Sequence, residues 1–333
     1  MKITGTIVLC VLTLFSFAQI QNMPLHEVFT SSTCMPCVSG NQNLTAIFNA
    51  NPERQTVVKY QMNWPISGDP YYTNEGGTRR NYYNVNSVPR LFVDGNEFQD
   101  FSTGYFNPLY YTSSARDQYY FTDTYVNIEA THSIDLTNNK ISVDLSVTPF
   151  ADYNSNNKAF IAIIENITTG NVATNGETEF YSVMMKMLPD ASGVNLGTLQ
   201  DGNIEIVHQE YYLQSEDFIE EISDISVVVW VQDYIVKNIY QSDYSKLQSV
   251  YINEAAVDRL VEIYPNPAKK HLNLLINTDS QVFFRIRNMI GKSEVKRGKV
   301  CSSSIDVSLL KRGCYFIEFE SGNNIWFSKF FKI

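Results

Sequence analysis

Two cysteines separated by two residues are the most chemically suggestive feature of this chain. The segment Glu27-Val28-Phe29-Thr30-Ser31-Ser32-Thr33-Cys34-Met35-Pro36-Cys37 reads as a strand running straight into a helix. That arrangement puts Cys34 at the helix start and Cys37 one turn later on the same side. Unpaired backbone N–H groups and the positive end of the helix dipole favour a thiolate at Cys34 and make it the attacking sulfur. Cys37 is then the thiol that resolves a mixed disulfide. Pro36 falls in the first turn, where a missing N–H costs nothing. The same spacing also serves zinc sites and plain structural disulfides. A zinc site needs four ligands and only His26 stands near the pair, so no metal is expected. A structural disulfide stays open as the alternative.

The elements that must position this pair alternate strand and helix as far as about Tyr120. Leu25 to Phe29 and Val57 to Met62 read as strands, and Leu91 to Val93 as a third that ends in the turn Asp94-Gly95. Between the first two, Cys37 to Asn51 carries Leu44, Ile47 and Phe48 on one stripe, and Asn107 to Tyr120 is expected to close the unit as a helix. The stretch Asn63 to Gly77, with Trp64, Tyr71 and Tyr72, reads as an insertion whose aromatic residues either simply pack or wall a substrate groove.

Period-two alternation takes over from about Thr122. Ile141, Val143, Leu145 and Val147 face one way while Ser142, Asp144 and Ser146 face the other, and Val126, Ile128 and Ala130 repeat the pattern. Ala159 to Ile164 and Val227 to Val231 are continuous apolar runs that read as strands covered on both faces. A β-sandwich is the expected outcome. After a linker, a small all-β module begins at Tyr264-Pro265-Asn266-Pro267 and alternates Leu272, Leu274 and Ile276, then Tyr315, Ile317 and Phe319. The fold class is therefore multidomain, α/β followed by all-β.

The chain opens with Lys2, an apolar stretch from Ile3 to Phe17 and the small residues Ser16 and Ala18, the layout of a cleavable secretory signal. The 333 residues are 44% hydrophobic and 18% charged, an ordinary globular composition, and the 21 Tyr and 20 Phe suit strand-rich domains. A net charge of −10 argues against nucleic acid as a partner of the whole chain. The charge is uneven: from Arg259 onward there are 13 Lys and Arg against 6 Asp and Glu, net +7, and before it 12 against 29, net −17. The basic tail reads as a separate unit, either a solvated face or a polyanion-docking surface. No Walker loop, H-E-x-x-H, G-x-S-x-G or dinucleotide fingerprint is present, and the four His are spread over three domains, so no cofactor is expected.

About fifty residues after the cysteines comes Ser87-Val88-Pro89-Arg90-Leu91-Phe92-Val93-Asp94-Gly95, a proline directly before a strand. With the C-x-x-C helix, it resembles the thioredoxin fold. That resemblance implies a cis Pro89 packed against the sulfurs and a Val88 backbone offered to an extended substrate. It also points to Val28, which stands where many thioredoxin-like enzymes carry a proton-relaying acid, and to Thr33, which replaces the usual Trp. Slow proton transfer, or a role that does not need it, is the consequence expected.

Further motifs resemble the Omp28-related outer-membrane proteins of Bacteroidetes. They are Glu27-Val28-Phe29-Thr30, Ile163-Ile164-Glu165-Asn166, Asn175-Gly176-Glu177-Thr178-Glu179-Phe180, Val183-Met184-Met185-Lys186-Met187-Leu188-Pro189 and Val229-Trp230-Val231-Gln232-Asp233. The three methionines are read as core filling. The end of the chain resembles the C-terminal sorting domain of type IX secretion substrates, on Tyr264-Pro265-Asn266-Pro267-Ala268, Ile305-Asp306-Val307-Ser308-Leu309-Leu310, Gly313-Cys314-Tyr315-Phe316-Ile317 and Lys329-Phe330-Phe331-Lys332-Ile333. The resemblances imply a signal peptide (1–18), a thioredoxin-like domain (19–121), a β-sandwich domain (122–250), a linker (251–261) and a small β-sandwich sorting domain (262–333).

They also imply passage through the periplasm and across the outer membrane by the type IX machinery, to a secreted or cell-surface location with attachment to lipopolysaccharide. Cys301 and Cys314 are either bridged between neighbouring strands or free and buried. Two functions are expected. One is thiol-disulfide exchange with protein thiols or disulfides through Cys34 and Cys37. The other is a non-catalytic surface binding protein in which that pair is a staple.

Overall fold

The computed structural model describes residues 20–214, 217–251, 261–276, 281–288, 294–300, 303–311, 313–321 and 324–332. The expected signal peptide, most of the linker, Cys301 and the side chain of Cys314 lie outside the described residues. The protein is mostly β, with three α-helices among the described residues.

The first part consists of β1 (Ile20–Gln21), β2 (Leu25–Thr30), α1 (Met35–Ala50), β3 (Thr56–Gln61), α2 (Asn74–Tyr83), β4 (Arg90–Val93), β5 (Asn96–Glu97), α3 (Ser113–Tyr120) and β6 (Asp123–Thr124). β2 runs parallel to β3 and antiparallel to β4, which turns back into β5. β1 pairs antiparallel with β6. All six residues of β2 are buried, and the strand's period of two divides them. Val28 packs with Leu44, Phe48 and Leu91 toward α1. Leu25 and Phe29 pack on the opposite face with Tyr60, Tyr83 and Phe92.

Helix α2 was not expected. Asn-Glu-Gly-Gly-Thr-Arg-Arg-Asn-Tyr-Tyr has two glycines and no apolar stripe, so periodicity does not reveal it. It is fixed by its ends instead: Thr73 Oγ1 accepts from Gly76 N at 3.1 Å, and Asn84 closes it in the left-handed region at φ 57°. The closing helix expected over Asn107–Tyr120 is shorter. Pro108–Tyr110 forms a single 3₁₀ turn, and α3 starts afresh where Thr112 Oγ1 caps Ala115 N at 3.1 Å.

The second part adds β7 (Val126–Asp135), β8 (Lys140–Pro149), β9 (Asn157–Thr168), β10 (Phe180–Leu188), β11 (Val194–Gly197), β12 (Glu205–Tyr212), β13 (Ile225–Asp233), β14 (Ile239–Tyr244) and β15 (Lys246–Tyr251). Five of these strands extend the first sheet. The order is β14-β13-β9-β10-β3-β2-β4-β5, with β11 also paired to β9. The seam is parallel, with Val183 of β10 opposite Lys59 of β3. One sheet therefore runs through residues on both sides of position 121.

A second sheet, β12-β8-β7-β15, covers one face of this large one. Its Ile141, Val143, Leu145 and Val147 pack against Ile161, Ile163, Val227 and Val229. The intervening Phe160, Ala162, Ile164, Val228 and Trp230 point to the other face and join Tyr60, Met62 and Tyr83. The two continuous apolar runs are thus central strands covered on both faces, and Met184, Met185 and Met187 are core residues.

The tail holds β16 (Val261–Tyr264), β17 (His271–Ile276), β18 (Phe283–Asn288), β19 (Glu294–Lys299), β20 (Ser304–Asp306), β21 (Gly313–Ser321) and β22 (Asn324–Lys332). They form two sheets, β16-β17-β20 and β19-β18-β21-β22. Leu272, Leu274, Ile286, Ile305, Ile317 and Phe319 build a core of their own. Arg287 Nη1 of the tail meets Glu221 Oε2 of the body at 2.5 Å.

Candidate redox site

β2 ends in the turn Ser31–Thr33, and Cys34 N donates to Ser31 O at 3.0 Å, which delivers Cys34 to the N-cap of α1 with an extended backbone. Pro36 occupies the first helical turn and Cys37 N donates to Cys34 O at 3.1 Å. Cys34 and Cys37 form a disulfide with their Cα atoms 5.3 Å apart. Both are buried, Cys34 at 1% exposure and Cys37 at 0%. Their immediate neighbours Met35 and Pro36 are exposed.

The Val88–Pro89 peptide is cis and precedes β4, and the Val88 carbonyl oxygen lies 3.8 Å from Cys34 Sγ. Beside it, Pro36, Val88, Pro89, Arg90, Tyr105 and Tyr110 line a shallow groove of about 410 Å³. Arg90 is held there by Glu97 at 3.2 Å and by the ring of Phe106, 4.8 Å from its guanidinium carbon. Trp64, Tyr71 and Tyr72 of the expected insertion do not line this groove. That segment acts behind the turn instead: Thr33 Oγ1 donates to Pro65 O at 2.5 Å, and Asp69 Oδ2 accepts from Ser32 N at 2.8 Å.

A second segment, between β9 and β10, clasps the same turn. Asn175 N donates to Ser32 O at 2.9 Å and Asn175 Nδ2 to Ser31 O at 3.3 Å, while Asn171 Nδ2 reaches both oxygens of Asp69 at 3.3 Å. Glu177 accepts from Asn175 Nδ2 at 2.6 Å and from Asn41 Nδ2 of α1 at 3.1 Å. Partial burial raises its carboxyl above the usual range, against the pull of those amides and of Lys59. Lys59, buried on β3 opposite Val28, is pushed down to about 8 by burial, with the Glu177 charge opposing the shift. Asp69, Asn171 and Glu177 escape a reading of local spacing, since each is remote in sequence from the cysteines. Asn175 and Glu177 fall in a motif noted above only for its family resemblance.

Val28 is apolar and faces α1, as its place in the sequence implies. Glu27 faces away, bound by Arg79 Nη2 at 2.7 Å, Tyr60 OH at 2.8 Å and Tyr83 OH at 2.6 Å. Burial and the Glu27 charge hold both phenols well above the ordinary tyrosine value. His26 does not join the sulfurs. Its Nε2 meets Tyr111 OH at 2.8 Å, and complete burial lowers its pKa to about 3. No group of three or more His, Cys, Asp or Glu suited to a metal occurs among the described residues, and none of their helices is long and apolar enough to cross a membrane.

Known proteins place the two ends of this description. Residues 262–332 match the family described as the secretion system C-terminal sorting domain. The tail therefore addresses the chain to a secretion machinery, and the protein is secreted or held at the cell surface. HBP35 of Porphyromonas gingivalis shares the fold, aligning over 93% of this chain and 98% of its own with a TM-score of 0.54 and 15% identity. A domain of the outer membrane lipoprotein Omp28 from Porphyromonas gingivalis aligns over 38% of this chain and 92% of its own, with a TM-score of 0.26 and 12% identity. No curated protein matches the sequence. The tail match and the HBP35 fold agree with the resemblance read from the residues.

Proposed function

We propose that this exported protein exchanges thiols and disulfides with other proteins through Cys34 and Cys37, held in a thioredoxin-like unit. The observation that carries the reading is placement. Cys34 caps α1, its bond to Cys37 spans the first turn, and the Val88 carbonyl lies 3.8 Å from its sulfur at the edge of an open groove. The strand order β3-β2-β4-β5, with α1 and α2 between strands and α3 after them, supports the thioredoxin-like unit. The facing of β7 and β8 on β9 and β13 supports a sandwich beside it.

In the reduced protein the Cys34 thiolate attacks a substrate disulfide and expels one substrate thiolate. Cys37 then attacks Cys34 Sγ, closes the internal bond and releases the second thiolate. Val88 and Pro89 form the substrate-side wall, with the Val88 carbonyl open to a backbone N–H of an extended chain. Carried in the Cys37→Ser protein, the first step stops at a mixed disulfide on Cys34 that mass spectrometry detects after incubation with a disulfide-bonded protein. An unmodified Cys34 in that experiment defeats the proposal. Lipopolysaccharide attachment after loss of the tail belongs to the same proposal and predicts a mature form of heterogeneous mass on the cell surface.

The burial of both sulfurs favours a second reading, in which the bond is a permanent staple in a binding protein. The reduction potential separates the two. A value below about −300 mV marks a structural bond and a higher one a working couple.

A further inference from the structure

We propose that Glu177, supplied by the segment between β9 and β10, is the base that receives the proton of the Cys37 thiol during resolution of the mixed disulfide. The inference rests on the exchange reading above.

Resolution requires Cys37 to lose a proton before it can attack, and Cys37 has no exposed surface through which bulk water could take it. Nearby titratable groups are engaged elsewhere. His26 is neutral and bound to Tyr111, Glu27 lies on the far face of β2 under Arg79, and Asp69 holds the Ser32 and Tyr71 amides. Glu177 is bound to α1 itself. Asn41 Nδ2 donates to both of its oxygens at 3.1 Å, and Asn41 follows Cys37 by four residues on the buried stripe of α1. Asn41 Nδ2 also donates to Thr30 Oγ1 of β2 at 3.0 Å, and Lys59, whose charge acts on the carboxyl, stands opposite Val28, so Glu177 reaches the layer between α1 and the sheet in which Cys37 is buried.

Burial raises the carboxyl above its ordinary value, while Lys59 on β3 and Asp69 in the neighbouring loop act on it with opposite sign. The step balances. The S–H proton passes to the Glu177 carboxylate, the Cys37 sulfur bonds to Cys34 Sγ, and the substrate sulfur leaves with the electron pair of the broken S–S bond. The substrate disulfide is thereby reduced by two electrons and the dithiol oxidised.

The test uses the full mature chain, reduced and then mixed with 5,5′-dithiobis(2-nitrobenzoate), which releases one thionitrobenzoate when Cys34 attacks and a second when Cys37 resolves. With wild-type protein the second release levels off above the pKa of the carboxyl. In Glu177→Gln it slows on the order of tenfold or more near pH 7 and keeps rising to the pKa of the thiol itself, while the first release is unchanged. Lys59→Met removes a charge that lowers the Glu177 pKa, so it moves the levelling-off to higher pH and serves if the glutamine variant does not fold. A second release with the wild-type rate and pH profile in Glu177→Gln overturns the inference and leaves the exchange reading intact. So does a profile abolished by Lys59→Met alone, which makes lysine the base. Absence of the first release from wild-type protein overturns both.

Discussion

Glu27 and Val28 are neighbours in sequence and occupy opposite faces of β2, so one residue step separates an apolar contact under the cysteine-bearing helix from a fully buried charge. Glu27 and Arg79 meet at 2.7 Å with side chains 1% and 0% exposed. Two tyrosine hydroxyls and the rings of Tyr82, Phe160 and Trp230 surround them. Removing one partner leaves the other charged, buried and unpaired, so Glu27→Gln or Arg79→Met is expected to cost about 3–5 kcal/mol, and the double variant less than the sum. Denaturant unfolding measures this, and single variants costing under about 1 kcal/mol would contradict it.

His26 allows a pH test on the other face. Its folded pKa of about 3 lies below its unfolded value of 6.5, so its contribution is present above pH 6.5 and is lost as the pH falls from there toward 3. The stability gap between wild type and His26→Gln should therefore narrow by about 1.4 kcal/mol for each pH unit below 6.5. A gap independent of pH would mean that the imidazole is not held neutral.

At the scale of elements, the strands most legible in the sequence were those with a clean period. β8 alternates and faces one sheet; β9 and β13 are apolar throughout and are covered twice. Helix α2 was illegible because what holds it is one buried arginine, the Thr73 side-chain cap and the left-handed backbone of Asn84, none of which repeats. The clasp on the Ser31–Thr33 turn was illegible for a related reason, since Asp69 and Asn175 reach it from other segments and Asn171 holds Asp69. The cysteine pair at a helix start is legible from local spacing, whereas Val88 and Pro89 stand out only through the resemblance to the thioredoxin fold. Trp230 joins the two halves, stacked on Phe160 at 5.1 Å with the Arg79 guanidinium 5.5 Å away. Trp230→Ala is expected to cost about 3–5 kcal/mol and to weaken the first part as well as the second. Loss of signal at β13 while the disulfide-bearing part unfolds at its usual denaturant concentration would show that the two are independent.

Across the whole molecule, the parallel seam between β3 and β10 makes one sheet of segments more than a hundred residues apart. No periodicity in either strand announces that partnership. The core under the seam draws Tyr60, Met62 and Tyr83 from one side and Phe160, Ala162 and Trp230 from the other. A fragment of residues 20–121 is expected to lack cooperative unfolding, whereas residues 20–251 unfold in a single transition seen alike by fluorescence and circular dichroism. A cooperative transition in the short fragment would contradict this.

The clasp also bears on when the site comes into being. Asn175 reaches Ser31 across 144 positions of chain, so the turn that presents Cys34 is completed by a long loop closure, the kind of contact that forms slowly. During synthesis the cysteine pair is made early and its bracket late. Until the bracket closes, the thiols belong to a nascent chain open to whatever oxidants and foldases it meets, and what fixes their final setting is the far half of the body.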